Sequence, residues 1–343
     1  MHFCFYRHNV PWLTVCHRSS PATIARSRLL SSRTEIASPR ADYLYKAIIH
    51  LAQESLHPEH STLVHDSILG ICDLTLEEAM AIDPSSVDSL DSFGYAPLHW
   101  AVKRQNHAAL TALLREGADP NQRDRYLRTA LHLAAKQGYS LMCQQLLDAK
   151  SDPNAQDANG RTALHVACCN SSSAYSLQIV QELLQRGALP DIQDTVNHFT
   201  PLNNLVYECL ARDPLDCEAK IDALLQAGAD INGPVDKTGC PPVLNAAMIS
   251  WDNDLFEVLR RRGARLNIVD NYGRGLLHYT AAYGDLSQIE YLRKLQLVDI
   301  ETRELDKYGH TPLSLMHWRA RTDVRKLWAN MKRPDEDDLA AFF

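Results

Sequence analysis

Acidic residues are missing from the first 34 positions, where Arg7, Arg18, Arg26, Arg28 and Arg33 stand among serines and the first acid is Glu35. That composition predicts a disordered leader or, as the less favoured reading, a mitochondrial targeting segment over residues 1–34. No run of 18 or more apolar residues occurs, so a membrane-spanning helix is not expected. The nine cysteines include no Cys-x-x-Cys pair and no histidine at finger spacing, which argues against zinc and against a disulfide framework. They are better read as small hydrophobes in a reducing compartment. Positive charge is also short: 35 Lys and Arg face 42 Asp and Glu, the net charge is −7 and the pI is near 6.1. Nothing chain-wide therefore attracts phosphates, which disfavours nucleic acid and anionic membranes. Phosphate loops, Gly-x-Ser-x-Gly and His-Glu-x-x-His are absent, so no reaction, metal or cofactor can be argued.

What is present is a repeat. The same frame opens at Asp91, Asp124, Asp157, Asp194, Asp236, Asp270 and Asp306, in steps of 33, 33, 37, 42, 34 and 36 residues. A period near 33 means stacked supersecondary units, each unable to bury its apolar face alone. Ala96-Pro97-Leu98-His99, Thr129-Ala130-Leu131-His132, Thr162-Ala163-Leu164-His165, Thr200-Pro201-Leu202 and Thr311-Pro312-Leu313 start a first helix. Leucine pairs such as Leu113-Leu114 and Leu146-Leu147 close a second, and Gly117-Ala118-Asp119, Gly187-Ala188, Gly228-Ala229-Asp230 and Gly263-Ala264 lead out. The pattern resembles the ankyrin repeat. The resemblance implies an all-α solenoid of helix-turn-helix units with hairpin-like tips.

The expected organisation is a leader over 1–41, N-terminal helices with a degenerate capping repeat over 42–90, the array over 91–330 and an acidic tail over 331–343. A helix is expected over about 42–56, a second around Leu63–Ile71, and a third after Thr75-x-x-Glu78, which has the form of a capping box. Ser171–Ser173 and Arg212-Asp213-Pro214-Leu215-Asp216 mark insertions, the latter expected as a protruding loop. Glycines at 94, 160, 239, 273 and 309 suit a left-handed turn position, where unit two has Leu127 and unit four has Asn197 nearby.

Histidines 99, 132, 165 and 278 line up along the stack. In the family that this chain resembles, this histidine ties neighbouring loops together, a structural role. The resemblance further implies that tips and first-helix ends form a concave groove binding another protein. On those positions fall Tyr95, Lys103, Arg104, Arg125, Tyr126, Arg128, Lys136 and Arg161 in units one to three, and Tyr272, Arg274 and Tyr308 in units six and seven. Tyr and Arg favour interface anchoring, and the first group predicts a basic strip for an acidic segment of a protein partner. The plainer reading is that these cations are solvated or paired with local acids such as Asp91 and Asp124. A non-enzymatic cytoplasmic or nuclear scaffold or adaptor is the leading expectation. The alternative is a targeting module of a ubiquitin-ligase substrate receptor or of a multi-subunit enzyme.

Overall fold

The computed structural model describes residues 61–170, 175–208, 214–233, 236–249, 253–284, 288, 291, 292, 294, 295 and 305–315. The helix expected over 42–56, the leader and the acidic tail lie outside the described residues. Among the described residues the regular structure is helical, with no strand, so the expected all-α solenoid is what forms.

Helices α1 (Leu63–Leu69) and α2 (Leu76–Ile82) precede a 3-10 turn over Pro84–Asp88. Unit one then contributes α3 (Pro97–Lys103) and α4 (His107–Arg115), unit two α5 (Ala130–Gln137) and α6 (Ser140–Asp148), and unit three α7 (Ala163–Cys168) and α8 (Ser176–Gln185). Unit four supplies α9 (Pro201–Glu208) and α10 (Pro214–Gln226), unit five α11 (Pro242–Ile249) and α12 (Asn253–Arg261), unit six α13 (Leu276–Tyr283), and unit seven α14 (Pro312–Leu315). First helices pack on first helices, α1 to α3 and onward to α14, and second helices pack on second helices from α2 to α12.

Recurrence of leucine makes one continuous core. Leu113, Leu146, Leu183, Leu224 and Leu259 hold equivalent places in α4, α6, α8, α10 and α12, and all are fully buried. Each such side chain contributes about 1.5–3 kcal/mol on leaving water. The capping box at Thr75 forms as expected: Glu78 accepts the Thr75 N–H at 2.8 Å, and Thr75 Oγ1 accepts the Glu78 N–H at 3.2 Å. Pro214 does not sit in a protruding loop. It opens α10, because proline fits the first helical turn, where no N–H is needed, and Asp216 sits favourably in that turn.

Two kinds of bond stitch neighbouring units together, the first only where the histidine is present. His99, His132, His165 and His278 accept a backbone N–H at Nδ1, from Ala96, Thr129, Thr162 and Gly275 respectively. With Nδ1 accepting, Nε2 carries the proton and donates to the carbonyl of the following unit's turn: Arg128 at 2.9 Å, Arg161 at 3.0 Å, Phe199 at 3.0 Å and His310 at 3.2 Å. His65 does the same ahead of the array, with the Thr62 N–H at Nδ1 and the Tyr95 carbonyl 3.0 Å from Nε2. Thr62-Leu63-Val64-His65 thus occupies the role of Thr129-Ala130-Leu131-His132. On the other edge, exit-turn side chains accept backbone N–H groups one unit on: Asp88 from Asp119, Asn121 from Asp152, Asn154 from Leu189, Asp191 from Asp230 and Asn232 from Arg265.

Units two to four share a further buried link. Lys220 on α10 is fully buried, with Nζ 2.7 Å from Asp216 Oδ2 and 3.1 Å from the Asn170 carbonyl. Asn170 in turn donates from Nδ2 to the Ala135 and Lys136 carbonyls at the end of α5, at 3.0 and 3.1 Å. Cysteines 143, 168 and 240 are buried free thiols, and burial pushes Cys143 and Cys240 up to about 12, so both are inert at neutral pH. Cys217 is engaged in a disulfide, which cysteine spacing alone does not predict.

Burial lowers the pKa of His65, His99 and His132 and brings His165 down to about 4, outweighing the carbonyl bonds that favour the charged ring. The unfolded chain binds protons from about pH 6.5 downward, whereas in the folded state these rings take up protons only at lower pH. Stability is therefore complete above that range and falls as pH drops through it. His165 alone accounts for a loss of about 2 kcal/mol at pH 5. Melting curves between pH 7.5 and 5 should show this decline, with a shallower slope in His132→Gln; an unchanged slope in that variant would place the proton uptake elsewhere. For the buried lysine, Lys220→Ala leaves Asp216 and the Asn170 carbonyl without their cation and opens a cavity. Chemical denaturation should register a loss of about 2–4 kcal/mol.

Candidate functional site

The tips are shaped by the turn aspartates. In unit two, Asp124 Oδ1 accepts the N–H groups of Tyr126 at 2.8 Å and Arg128 at 2.9 Å, while the Leu127 N–H donates to the Asp124 carbonyl. Asp91, Asp157, Asp236, Asp270 and Asp306 repeat the two carboxylate bonds to residues two and four further on. In unit four Asp194 reaches one residue further, to Phe199, and the left-handed position falls on His198, not Asn197. Unit two keeps the common turn although its left-handed residue is Leu127, at φ 58°. Successive tips are joined by single backbone bonds, such as Ala158 N–H to the Tyr126 carbonyl and Lys307 N–H to the Tyr272 carbonyl.

With the backbone bonds taken by Oδ1, four of these aspartates accept a side-chain hydrogen bond at Oδ2. Trp100 Nε1 donates to Asp91 at 2.6 Å, and Tyr279 OH donates to Asp270 at 2.9 Å. Arg128 Nε donates to Asp124 at 2.9 Å, and Arg274 Nε donates to Asp306 at 3.2 Å. Arg128 also donates to Tyr95 OH at 3.3 Å, and its pKa is raised: burial pulls it down, but the Asp124 carboxylate outweighs that.

Five of the expected residues meet in one cluster. Lys103 Nζ lies 3.9 Å from the centre of the Tyr95 ring and 4.4 Å from that of Trp100, and the Tyr95 and Trp100 rings meet edge to face at 5.4 Å. The Arg128 and Arg125 guanidinium groups lie 4.8 and 5.8 Å from the Tyr126 ring centre, and Arg125 Nε donates to the Phe93 carbonyl. Arg104 and Lys136 project into solvent at the ends of α3 and α5. Arg161 stays with its own turn, its Nε 3.7 Å from Asp157 Oδ2. Tyr272 and Tyr308 stack at 6.0 Å in a second cluster, with Arg274 at 5.4 and 5.7 Å from their centres, separated from the first by units three to five.

The basic strip is thus divided. Arg128, Arg161 and Arg274 are paired with turn aspartates, while Lys103, Arg104 and Lys136 have no anion or carbonyl partner among the described residues. Trp100, which completes the platform under Lys103, follows His99 and stands nine residues after Asp91, the same offset that Tyr279 has from Asp270. That recurring donor nine residues past the aspartate was the available signal. Both ring nitrogens of each tie histidine are occupied, and among the described residues no group of three His, Cys, Asp or Glu is arranged for a metal. No helix of the described residues is long and apolar enough to cross a membrane.

The family description "Ankyrin repeats (3 copies)" matches residues 69–157 and 131–235. The ankyrin repeat domain of Bcl-3, described as a unique member of the IkappaB protein family, superposes with a TM-score of 0.56 at 26% identity, covering 69% of this chain and 99% of that one. The human ASB11 ankyrin repeat domain does so at 0.56 and 22%, covering 71% and 100%, a likeness of fold. Transient receptor potential cation channel subfamily A member 1 of Homo sapiens is 37% identical over 97 residues, 27% of this chain and 8% of that protein. The chain therefore spans a small fraction of that relative.

Arg128→Ala should lower stability by about 1–2 kcal/mol, because it strips the buried Asp124 carboxylate of its cation. Arg104→Ala and Lys136→Ala should each stay within about 0.5 kcal/mol. Thermal denaturation of the three variants checks this; equal effects would mean that Arg128 does not brace its turn.

Proposed function

Because this chain is an ankyrin repeat protein, we propose that it acts as a non-enzymatic scaffold or adaptor that binds an acidic segment of a partner protein. Ankyrin repeats are general protein–protein interaction modules, and the fold is typically non-catalytic. The proposed face is the concave side of units one to three. One observation carries this reading: Lys103, Arg104 and Lys136 are exposed cations without an anion of their own, at the ends of adjacent first helices. The Tyr95 and Trp100 rings hold the Lys103 ammonium in place, which lowers the entropy lost on binding a carboxylate. The arginines contribute differently. Those paired with turn aspartates keep the tips in shape, so their effect on binding is through Tyr95 and Tyr126.

The test uses the full chain carrying Lys103→Glu, Arg104→Glu and Lys136→Glu, with folding checked by circular dichroism and melting. Affinity capture with mass spectrometry at low and raised salt should recover partners with wild type at low salt and lose them with either change. If the variant keeps the same partners and salt has no effect, the acidic-segment reading fails, and the Tyr272, Arg274 and Tyr308 tips become the face to test. Recovery of ubiquitin-ligase or other multi-subunit enzyme components would favour the targeting-module reading over a free-standing adaptor.

A further inference from the structure

The residue in the left-handed position of the tip turn is glycine in units one, three, five, six and seven, at φ between 75° and 78°. In unit two it is Leu127, at φ 58°, and 45% of that leucine is exposed. A branched-chain residue there pays a steric cost that glycine avoids, and a leucine left 45% exposed recovers only part of what full burial would give. The turn does not require it. The bonds that Asp124 makes to residues 126, 127 and 128 run to backbone N–H groups and recur where glycine stands. His198, the other non-glycine in this position, differs: it is polar, sits in a turn one residue longer, and its carbonyl accepts Gln193 Nε2 at 2.9 Å.

Leu127 is not an isolated apolar group. Tyr126 beside it is 50% exposed and Phe93 on the adjoining tip 46%, the two tips being joined by Arg125 Nε on the Phe93 carbonyl. Cations border this patch: Arg125 in the same turn, and Lys103 over the Tyr95 ring of the adjoining unit. Strained conformations persist where the side chain they present has a use. We propose that the tips of units one and two form an apolar seat, walled by Phe93, Tyr126 and Leu127, for one bulky aliphatic or aromatic side chain carried by an acidic peptide segment. Charge complementarity selects the acidic flanks, and the seat selects the apolar residue and excludes water from the neighbouring ionic contacts. This inference rests on the acidic-segment reading above for its flanks.

The probe is a displayed library of random dodecapeptides, selected at low salt on the immobilised full chain, with enriched sequences remade as synthetic peptides. Wild type should enrich acidic peptides with one bulky apolar residue. Leu127→Gly should melt no lower than wild type, bind the selected peptides about tenfold more weakly, and enrich acidic peptides with no apolar preference. Leu127→Ala, which keeps the strained backbone and loses the side chain, should weaken binding as well. The seat is overturned if Leu127→Gly binds as wild type, if it melts lower, or if wild type enriches no peptide. Loss of binding in the Lys103→Glu, Arg104→Glu, Lys136→Glu chain with full binding in Leu127→Gly removes the seat and keeps the acidic reading. The opposite pair of results keeps the seat and removes the acidic reading.

Discussion

A neutral imidazole with both nitrogens in use is the interaction on which the rest of this stack depends. Nδ1 closes the first turn of its own helix and Nε2 holds the carbonyl that ends the next unit's turn, so one side chain fixes local and inter-unit geometry together. Because the units touch only their neighbours, there is no distant contact to substitute for that bond. Where the position holds Leu244, the side chain has no donor to offer, and the seam is held by the packing of first helices and by the bond from the Asn271 N–H to the Thr238 carbonyl between tips. The seam between units five and six is therefore of a different chemical kind from the seams on either side of unit two.

The turn that the imidazole grasps is the same turn that exposes the tip side chains. In units one, two, six and seven its aspartate spends one carboxylate oxygen on the backbone and the other on a donor from the same or the neighbouring unit. Which donor that is decides the character of the tip. Where Trp100 fills the role, Lys103 is left available; where an arginine fills it, the charge is internal and the aromatic ring is what remains outside. Two sequences with equal numbers of arginine and lysine on this row can thus present quite different surfaces.

Much of the frame was legible in the residues alone. The aspartate spacing, the Thr-x-Leu-His starts and the leucine pairs place the helices, and the four aligned histidines point to structural ties. What escaped depended on contacts that spacing does not encode. Thr62-Leu63-Val64-His65 lacks both the proline and the leucine of the usual start, yet Val64 packs as a leucine would and His65 makes its tie. Lys220 reads as an ordinary helical lysine, and its burial follows from a carbonyl fifty residues earlier. At the proposed binding face, residue type picked out the strip, but only the carboxylate geometry separates Arg128, which braces a turn, from Lys103, Arg104 and Lys136, which do not.

The ladder of exit-turn amides and carboxylates also bears on how such a gene can change length. Asn121 and Asn154 accept from the same place in the following unit, as His99 and His132 donate to the same place. An in-frame recombination that excised residues 124–156 would leave His99 facing Arg161 and Asn121 facing Leu189, each surviving half of a bond meeting a chemically equivalent other half. Across units three and four the interchange fails, since the Lys220 contact to Asn170 and the longer turn at His198 have no counterpart in the other described units.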